Sequence, residues 1–182
     1  MLEISFNQAD PDCIHKTSKA IALLEKEMGG DIMLGAGTVL NVAQVDAAIA
    51  GGARYIVSPN TDEKVICYSK QKGLVSIPGA MTPSEMVNAY NYGADYVKVF
   101  PISDLELMYM KSVMSPLNHI NFIATGGVSL ANLSEILNMD FVGAGIGGYL
   151  ADIKLIANGN IAELINRASK FVEISKKSSA SE

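Results

Sequence analysis

Short apolar runs alternate with helix-spaced segments along the whole chain, and this rhythm constrains the fold more than any other feature. Residues 2–6 (LEISF), 31–38 (DIMLGAGT), 54–59 (RYIVSP), 73–79 (GLVSIPG), 95–101 (DYVKVFP), 121–127 (NFIATGG) and 140–147 (DFVGAGIG) read as strands. Parallel strands need a crossover between them, and near-continuous apolar strands need cover on both faces. The pattern therefore predicts an α/β protein with a parallel sheet wrapped by helices. Helix starts are expected at Asp10-Pro11, at Asn41 with Gln44, at Thr82 with Glu85, at Ser103 with Glu106, and at Ser129. Gly29-Gly30, Gly51-Gly52, Gly73 and Gly93 are expected to close four helices in the left-handed conformation. This spacing fits a TIM (β/α)8-type barrel better than an open doubly wound sheet. The strand count falls one short of that barrel. Either the first strand is lacking or the sequence starts downstream of a first βα unit, and the second is the expectation.

Composition removes several function classes. The 182 residues fit one domain, expected over 1–175, with KKSSASE at 176–182 as a flexible C-terminal tail. Hydrophobic residues make up 49% and mean hydropathy is +0.23, yet Gly or a charge interrupts every long apolar run, so no membrane span is expected. A net charge of −5 with no basic cluster argues against a nucleic-acid partner. The start, MLEISF, lacks the basic region of a signal peptide. Cys13, Cys67, His15 and His119 have no metal-ligand spacing, so neither metal nor cofactor is expected and the two thiols suit the cytoplasm.

One residue stands out against this background. In GADYVKVFP, alternation puts Tyr96, Lys98 and Phe100 on one strand face and Val97 and Val99 on the other. A buried ammonium costs several kcal/mol in effective terms unless paired or deprotonated. A lysine that sheds its proton is a nucleophile toward carbonyl carbon. The first strand repeats the pattern: with Leu2, Ile4 and Phe6 toward the helices, Glu3, Ser5 and Asn7 point inward. An inward glutamate and an inward lysine in one barrel are expected either to meet or to serve chemistry. Thr38 and Thr125 close strands at their C-terminal ends, where such barrels carry their reactions. Gly126-Gly127 before Ser129, and the GAGIGG of the last strand, offer backbone amides for an anion. Together these suggest a phosphorylated or carboxylated carbonyl substrate.

GAGTVL (35–40), SPN (58–60), IPGAMTPSE (77–85), YVKVFP (96–101) and ATGGVSLANL (124–133) resemble the 2-keto-3-deoxy-6-phosphogluconate and 4-hydroxy-2-oxoglutarate aldolases. The likeness runs in order through almost all of the chain. It implies a metal-free class I aldolase on a (β/α)8 barrel, commonly a homotrimer. It places the Schiff-base lysine on Lys98 and the acid/base glutamate on Glu3. It places Thr38, Pro59 and Thr125 beside the substrate, and Gly126, Gly127 and Gly145 at its phosphate side. The implied reaction cleaves a 4-hydroxy-2-keto acid to pyruvate and an aldehyde. Three departures accompany the likeness. Asn7 stands where many relatives have an arginine that clamps the substrate; Ile146 stands where a serine often faces phosphate; and the family's first βα unit is missing before Met1. Asn7 and Ile146 favour a non-phosphorylated substrate, and all three departures motivate one alternative, an impaired relative acting as a binding or assembly subunit. A sugar-phosphate epimerase or isomerase on a related barrel is the other.

Overall fold

The computed structural model describes residues 1–179. In chain order the elements are β1 (Leu2–Ser5), α1 (Cys13–Met28), β2 (Leu34–Gly37), α2 (Val42–Gly51), β3 (Tyr55–Val57), α3 (Glu63–Gln71), β4 (Val75–Ile77), β5 (Gly79–Ala80), α4 (Pro83–Asn91) and β6 (Val97–Val99). There follow α5 (Leu107–Met114), β7 (Phe122–Thr125), α6 (Leu133–Leu137), β8 (Gly143–Gly145), α7 (Ile153–Ala157) and α8 (Ile161–Ser179). The strands form two four-stranded parallel sheets, in the orders β1-β2-β3-β4 and β5-β6-β7-β8. This is the α/β architecture that the alternation demands, present as two ladders with no closed ring among the described residues.

Eight strands replace the seven expected because the run 73–79 divides at Pro78. Proline has no N–H to give a ladder and interrupts an interior strand. Before it, β4 continues the first sheet, with Tyr55 opposite Val75 and Val57 opposite Ile77. After it, β5 opens the second sheet. Pro78 keeps its carbonyl, which accepts the Lys98 N–H at 2.8 Å.

Two compact units divide the chain, Met1–Lys98 and a second beginning at Val99. The first has its own apolar core: Phe6, Ile21, Leu34, Ala36, Val45 and Ile56 are buried together, with Ile4 packed against them. These strand positions share the face turned to α1 and α2, which leaves Glu3, Ser5, Gly35, Gly37 and Tyr55 on the opposite face. In the second unit Phe122, Ala124, Met110, Leu133, Ile136 and Phe171 are buried. Among the described residues no helix is long and apolar enough to cross a membrane.

Several helix ends differ from expectation. Thr82 and Glu85 form the full capping box, and Asn41 accepts the Gln44 N–H at 3.0 Å. The Gln44 side chain reaches the Leu40 N–H instead of that of Asn41, at 2.7 Å. Asp10 does not cap α1; its carboxylate accepts the Asp12 N–H at 2.9 Å in a turn that precedes the helix. Ser103 bonds to Asp104 within a 3-10 turn, so α5 starts four residues later, at Leu107. Ser129 likewise belongs to a turn closed by Asn132, and α6 begins at Leu133. In each case a short polar side chain makes a local hydrogen bond before the helix begins: the Asp10 and Asn132 side chains each accept a nearby amide, and the Ser103 hydroxyl donates to the Asp104 carboxylate. Gly52, Gly73 and Gly93 have positive φ as expected, while Gly29 is right-handed at −62°. Residues 176–179 of the expected tail lie in α8, and 180–182 lie outside the described residues.

Thr82→Ala removes the side-chain half of this capping box, the hydroxyl that accepts the Glu85 N–H, and leaves the Glu85 carboxylate on the residue-82 amide. Removing such a cap costs about 1 kcal/mol, so the urea midpoint should fall while the slope of the transition stays unchanged.

Candidate active site

The first unit places a carboxylate over a strip of missing side chains. Glu3 lies opposite Gly35 and Ser5 opposite Gly37 in the β1–β2 register. A Cβ at Gly37 would collide with the Glu3 carboxylate, and one at Gly35 with the Tyr55 ring. Glycine at these positions is therefore space into which Glu3 and Tyr55 fold across the sheet. The Ser5 hydroxyl donates to Glu3 Oε1 at 3.2 Å, which orients the carboxylate. Tyr55 is 3% exposed. Burial pushes its phenol well above the ordinary value, and the charge of Glu3 adds to the shift. It is thus held as a neutral hydroxyl.

Lys98 sits in the middle of β6 and is 7% exposed. Burial pushes its amine below the ordinary value of 10.5, while the charge of Glu3 acts in the opposite direction and more weakly. The glutamate thus acts electrostatically on both the lysine and the tyrosine. A buried lysine held toward its neutral form is what nucleophilic attack on a carbonyl requires.

Thr38 ends the same sheet with φ of +56°, a conformation rare for a β-branched residue. Its carbonyl accepts from Gln8 Nε2 at 2.7 Å, and Gln44 Nε2 donates to Gln8 Oε1 at 2.9 Å. This relay, with the Gln44 bond to Leu40, holds the strained turn. Pro59 is half-buried, and its carbonyl lies so close to Gly79 that no Cβ would fit there. Asn7 is exposed, and its Oδ1 accepts the Ala9 N–H at 3.2 Å in a local turn.

The second unit contains a cleft of about 420 Å3 lined by Thr125, Gly126, Gly127, Ser129 and the Gly147–Tyr149 stretch, with Phe100 also on its wall. Gly126 and Gly127 have φ of +81° and +86°, so two successive residues are left-handed. A Cβ on Gly126 would meet the Phe100 ring at 2.9 Å, and one on Gly127 would collide with Ser103. Only glycine fits at either position. Gly145 pairs with Thr125 in the β7–β8 register and does not line the cleft; half-buried Ile146 does not line it either. Among the described residues no three His, Cys, Asp or Glu side chains are grouped as metal ligands would be.

The profile of the KDPG and KHG aldolase family matches residues 12–167. The chain belongs to that family. A 2-dehydro-3-deoxy-phosphogluconate aldolase from Treponema pallidum is 33% identical over 158 residues, covering 86% of this chain and 75% of the relative. A solved native KDPGal structure superposes with a TM-score of 0.84 at 26% identity, over 98% of this chain and 95% of that one. The Legionella pneumophila KDPG aldolase, solved with pyruvate captured as a covalent carbinolamine intermediate, has a TM-score of 0.77 at 25% identity, covering 95% and 78%. The protein is accordingly an aldolase, and so a lyase.

Within the aldolase, Lys98, Thr38, Pro59, Thr125, Gly126, Gly127 and Gly145 fall inside the matched residues, and Glu3 and Asn7 fall before them. For the glutamate the geometry is that of Gly37 and Ser5, and beside it stands the effect of its charge on Lys98. Tyr55 and Gln8 are absent from the sequence expectations, and Gln44 is present there only as a helix-start residue. Tyr55 was readable, because the GAG alternation puts two glycines on one face and a large side chain must fill the space beside them.

Gly37→Ala should displace the Glu3 carboxylate and little else, because the new methyl meets the exposed end of a flexible side chain. Turnover is expected to fall at least about tenfold, as loss of an acid/base group requires, with the thermal midpoint nearly unchanged. Steady-state kinetics beside a melting curve checks both.

Proposed function

We propose that this aldolase works through a Schiff base on Lys98 and cleaves a 4-hydroxy-2-keto acid with an anionic distal group, such as 2-keto-3-deoxy-6-phosphogluconate. The observation that carries the proposal is a strand lysine buried to 7% exposure whose amine is held below its ordinary value mainly by that burial. The names of the relatives and the captured pyruvate in the Legionella enzyme support the same reading.

The neutral amine of Lys98 attacks the C2 carbonyl and forms a carbinolamine. Loss of water then gives an iminium. The cation accepts the electron pair of the C3–C4 bond as the C4 hydroxyl is deprotonated, which releases an aldehyde and leaves an enamine. Protonation of the enamine at C3 and hydrolysis return pyruvate and free lysine. Glu3 moves the protons in these steps. Burial of Tyr55 keeps a neutral hydroxyl available beside it. The cleft with Gly126 and Gly127 takes the anionic distal group on backbone amides, which need no counter-charge from an arginine. This reading favours the phosphorylated substrate although Asn7 and Ile146 depart from the family pattern. The homotrimer that the resemblance implies is part of the proposal, and the exposed Ile153, Ile156, Ile161, Ile165 and Val172 of α7 and α8 are apolar surface that a subunit contact would cover.

Borohydride reduction with pyruvate, followed by peptide mapping, should leave a reduced pyruvyl adduct on Lys98, and Lys98→Ala should leave none. A folded wild-type protein that takes up no adduct would reject the Schiff base. Glu3→Gln carries a further expectation of definite sign. The Glu3 charge raises the lysine's affinity for a proton, so its removal shifts the acid limb of adduct formation to lower pH. Turnover falls in the same variant by about 10²–10⁴, the usual worth of a positioned acid/base group. A limb that moves to higher pH would show that Glu3 does not act on Lys98 through its charge.

A further inference from the structure

Gly147 and Gly148 form part of the cleft wall, and neither is confined. A Cβ on either would meet nothing within 4 Å, and neither has positive φ. Two exposed glycines with open space around them do not hold a wall in place. The next residue is held firmly. Arg167 of α8 reaches back along the chain and donates from Nη1 to the Tyr149 carbonyl at 2.9 Å. Its guanidinium lies 4.6 Å from the centroid of the Tyr149 ring, and the Phe171 ring meets the same tyrosine edge-on at 5.7 Å. The remaining bonds of Arg167 go to Asp152 at 3.3 Å and Glu163 at 3.0 Å. Asp152 in turn caps α7 through the Lys154 and Leu155 amides. Two carboxylates thus neutralise the guanidinium, which has no charge to spare for a ligand. Its fork is spent on one peptide carbonyl, one ring face and the two acids that aim it.

We infer that Arg167 is a positioning residue for substrate specificity: it clamps Tyr149, and through it the Gly147–Gly148 wall, against the distal anionic group in the cleft. The inference rests on the cleft being the anion site of the proposed reaction. Arg167 touches no reacting atom. Its loss therefore weakens binding of the anionic group and leaves the bond-breaking step alone. Lysine cannot replace it, because an ammonium supplies no planar fork to grip a carbonyl while stacking on a ring.

The test measures two quantities on wild type, Arg167→Ala, Arg167→Lys, Tyr149→Ala and the Arg167→Ala/Tyr149→Ala double variant. One is the affinity for inorganic phosphate, by 31P line broadening; the other is KM and kcat for 2-keto-3-deoxy-6-phosphogluconate. In Arg167→Ala both the phosphate Kd and KM should rise roughly tenfold with kcat within about twofold, the signature of lost binding common to ground and transition states. Arg167→Lys should recover little of this. The double variant should be no worse than Tyr149→Ala alone, because the two residues act as one unit. A merely structural arginine would lower the folded fraction, hence Vmax, and leave KM in place. If Arg167→Ala does not fold, Tyr149→Ala carries the same KM and phosphate expectations. Unchanged phosphate affinity in the variants, additive losses in the double variant, or a wild type that binds no phosphate would each overturn the inference. Pyruvate trapping at Lys98, which involves no distal group, reports separately on the proposed reaction. Trapping with unchanged phosphate affinity would sink the clamp and leave the aldol chemistry standing.

Discussion

The burial of one amine organises the first half of this protein. Moving a lysine head group out of water costs several kcal/mol in effective terms if it keeps its charge. Lys98 accepts that penalty in the middle of β6, and its amine is correspondingly driven toward the neutral form. A lone buried lysine could be driven far enough to have no acid/base partner at working pH. Glu3 opposes the shift, and the same charge raises Tyr55. The carboxylate therefore acts in two directions at once. It keeps one neighbour within reach of a proton and stops the other from losing one. Opposed environments of this kind mark acid/base assignments in enzymes generally.

Bringing Glu3 and Tyr55 to one sheet face requires removing side chains. Gly35 and Gly37 stand at alternate positions of β2, and glycine in a strand costs about 0.5–1 kcal/mol against alanine. That loss is the condition for Glu3 and Tyr55 to fold flat across the sheet, because a Cβ at either position would strike one of them. Pro78 makes a similar exchange. It gives up a ladder bond and divides a strand between two sheets, while its carbonyl fixes the backbone of Lys98. Thr38 adds strain, with its positive φ held by a glutamine relay from β1's following loop and α2. Backbone strain of this kind costs about 1–3 kcal/mol and persists where surrounding bonds over-determine it.

The fold class was legible because it depends on periodicity, which the sequence carries directly. The strand faces of β1 were legible for the same reason: Phe6 and Ile4 went to the core and Glu3 to the other face. Helix starts were less legible. Asp10, Ser103 and Ser129 have the right chemistry for caps, but each is engaged in a turn that comes first: Asp10 accepts the Asp12 amide, Ser103 donates to the Asp104 carboxylate, and the Ser129 amide donates to Asn132. Local competition among short polar groups decides such cases, and spacing does not encode it. The eighth strand was hidden because two residues after a proline carry no period. Within the candidate site, Lys98, Glu3 and the glycine pair could be read from alternation and resemblance. Arg167 could not, since nothing in NRASK shows that its side chain returns to a carbonyl eighteen residues earlier.

That contrast reflects how each residue does its work. Lys98 breaks a sequence rule, a charge where the pattern asks for an apolar side chain, and a broken rule is visible; Glu3 follows the alternation of β1 and was visible as the charge on its polar face. Arg167 breaks none: an arginine four residues after a glutamate on a half-exposed helix is what any soluble helix offers, and the pair with Glu163 is an ordinary one. Its consequence comes from what lies at the other end of the side chain, a tyrosine that follows two unconfined glycines. Glycines serve opposite ends in the two units. In β2 they make room for side chains that must approach; after β8 they leave a wall that something else must hold. The first use is written in the glycine spacing itself, and the second becomes visible only once α8 has folded back to supply the missing constraint.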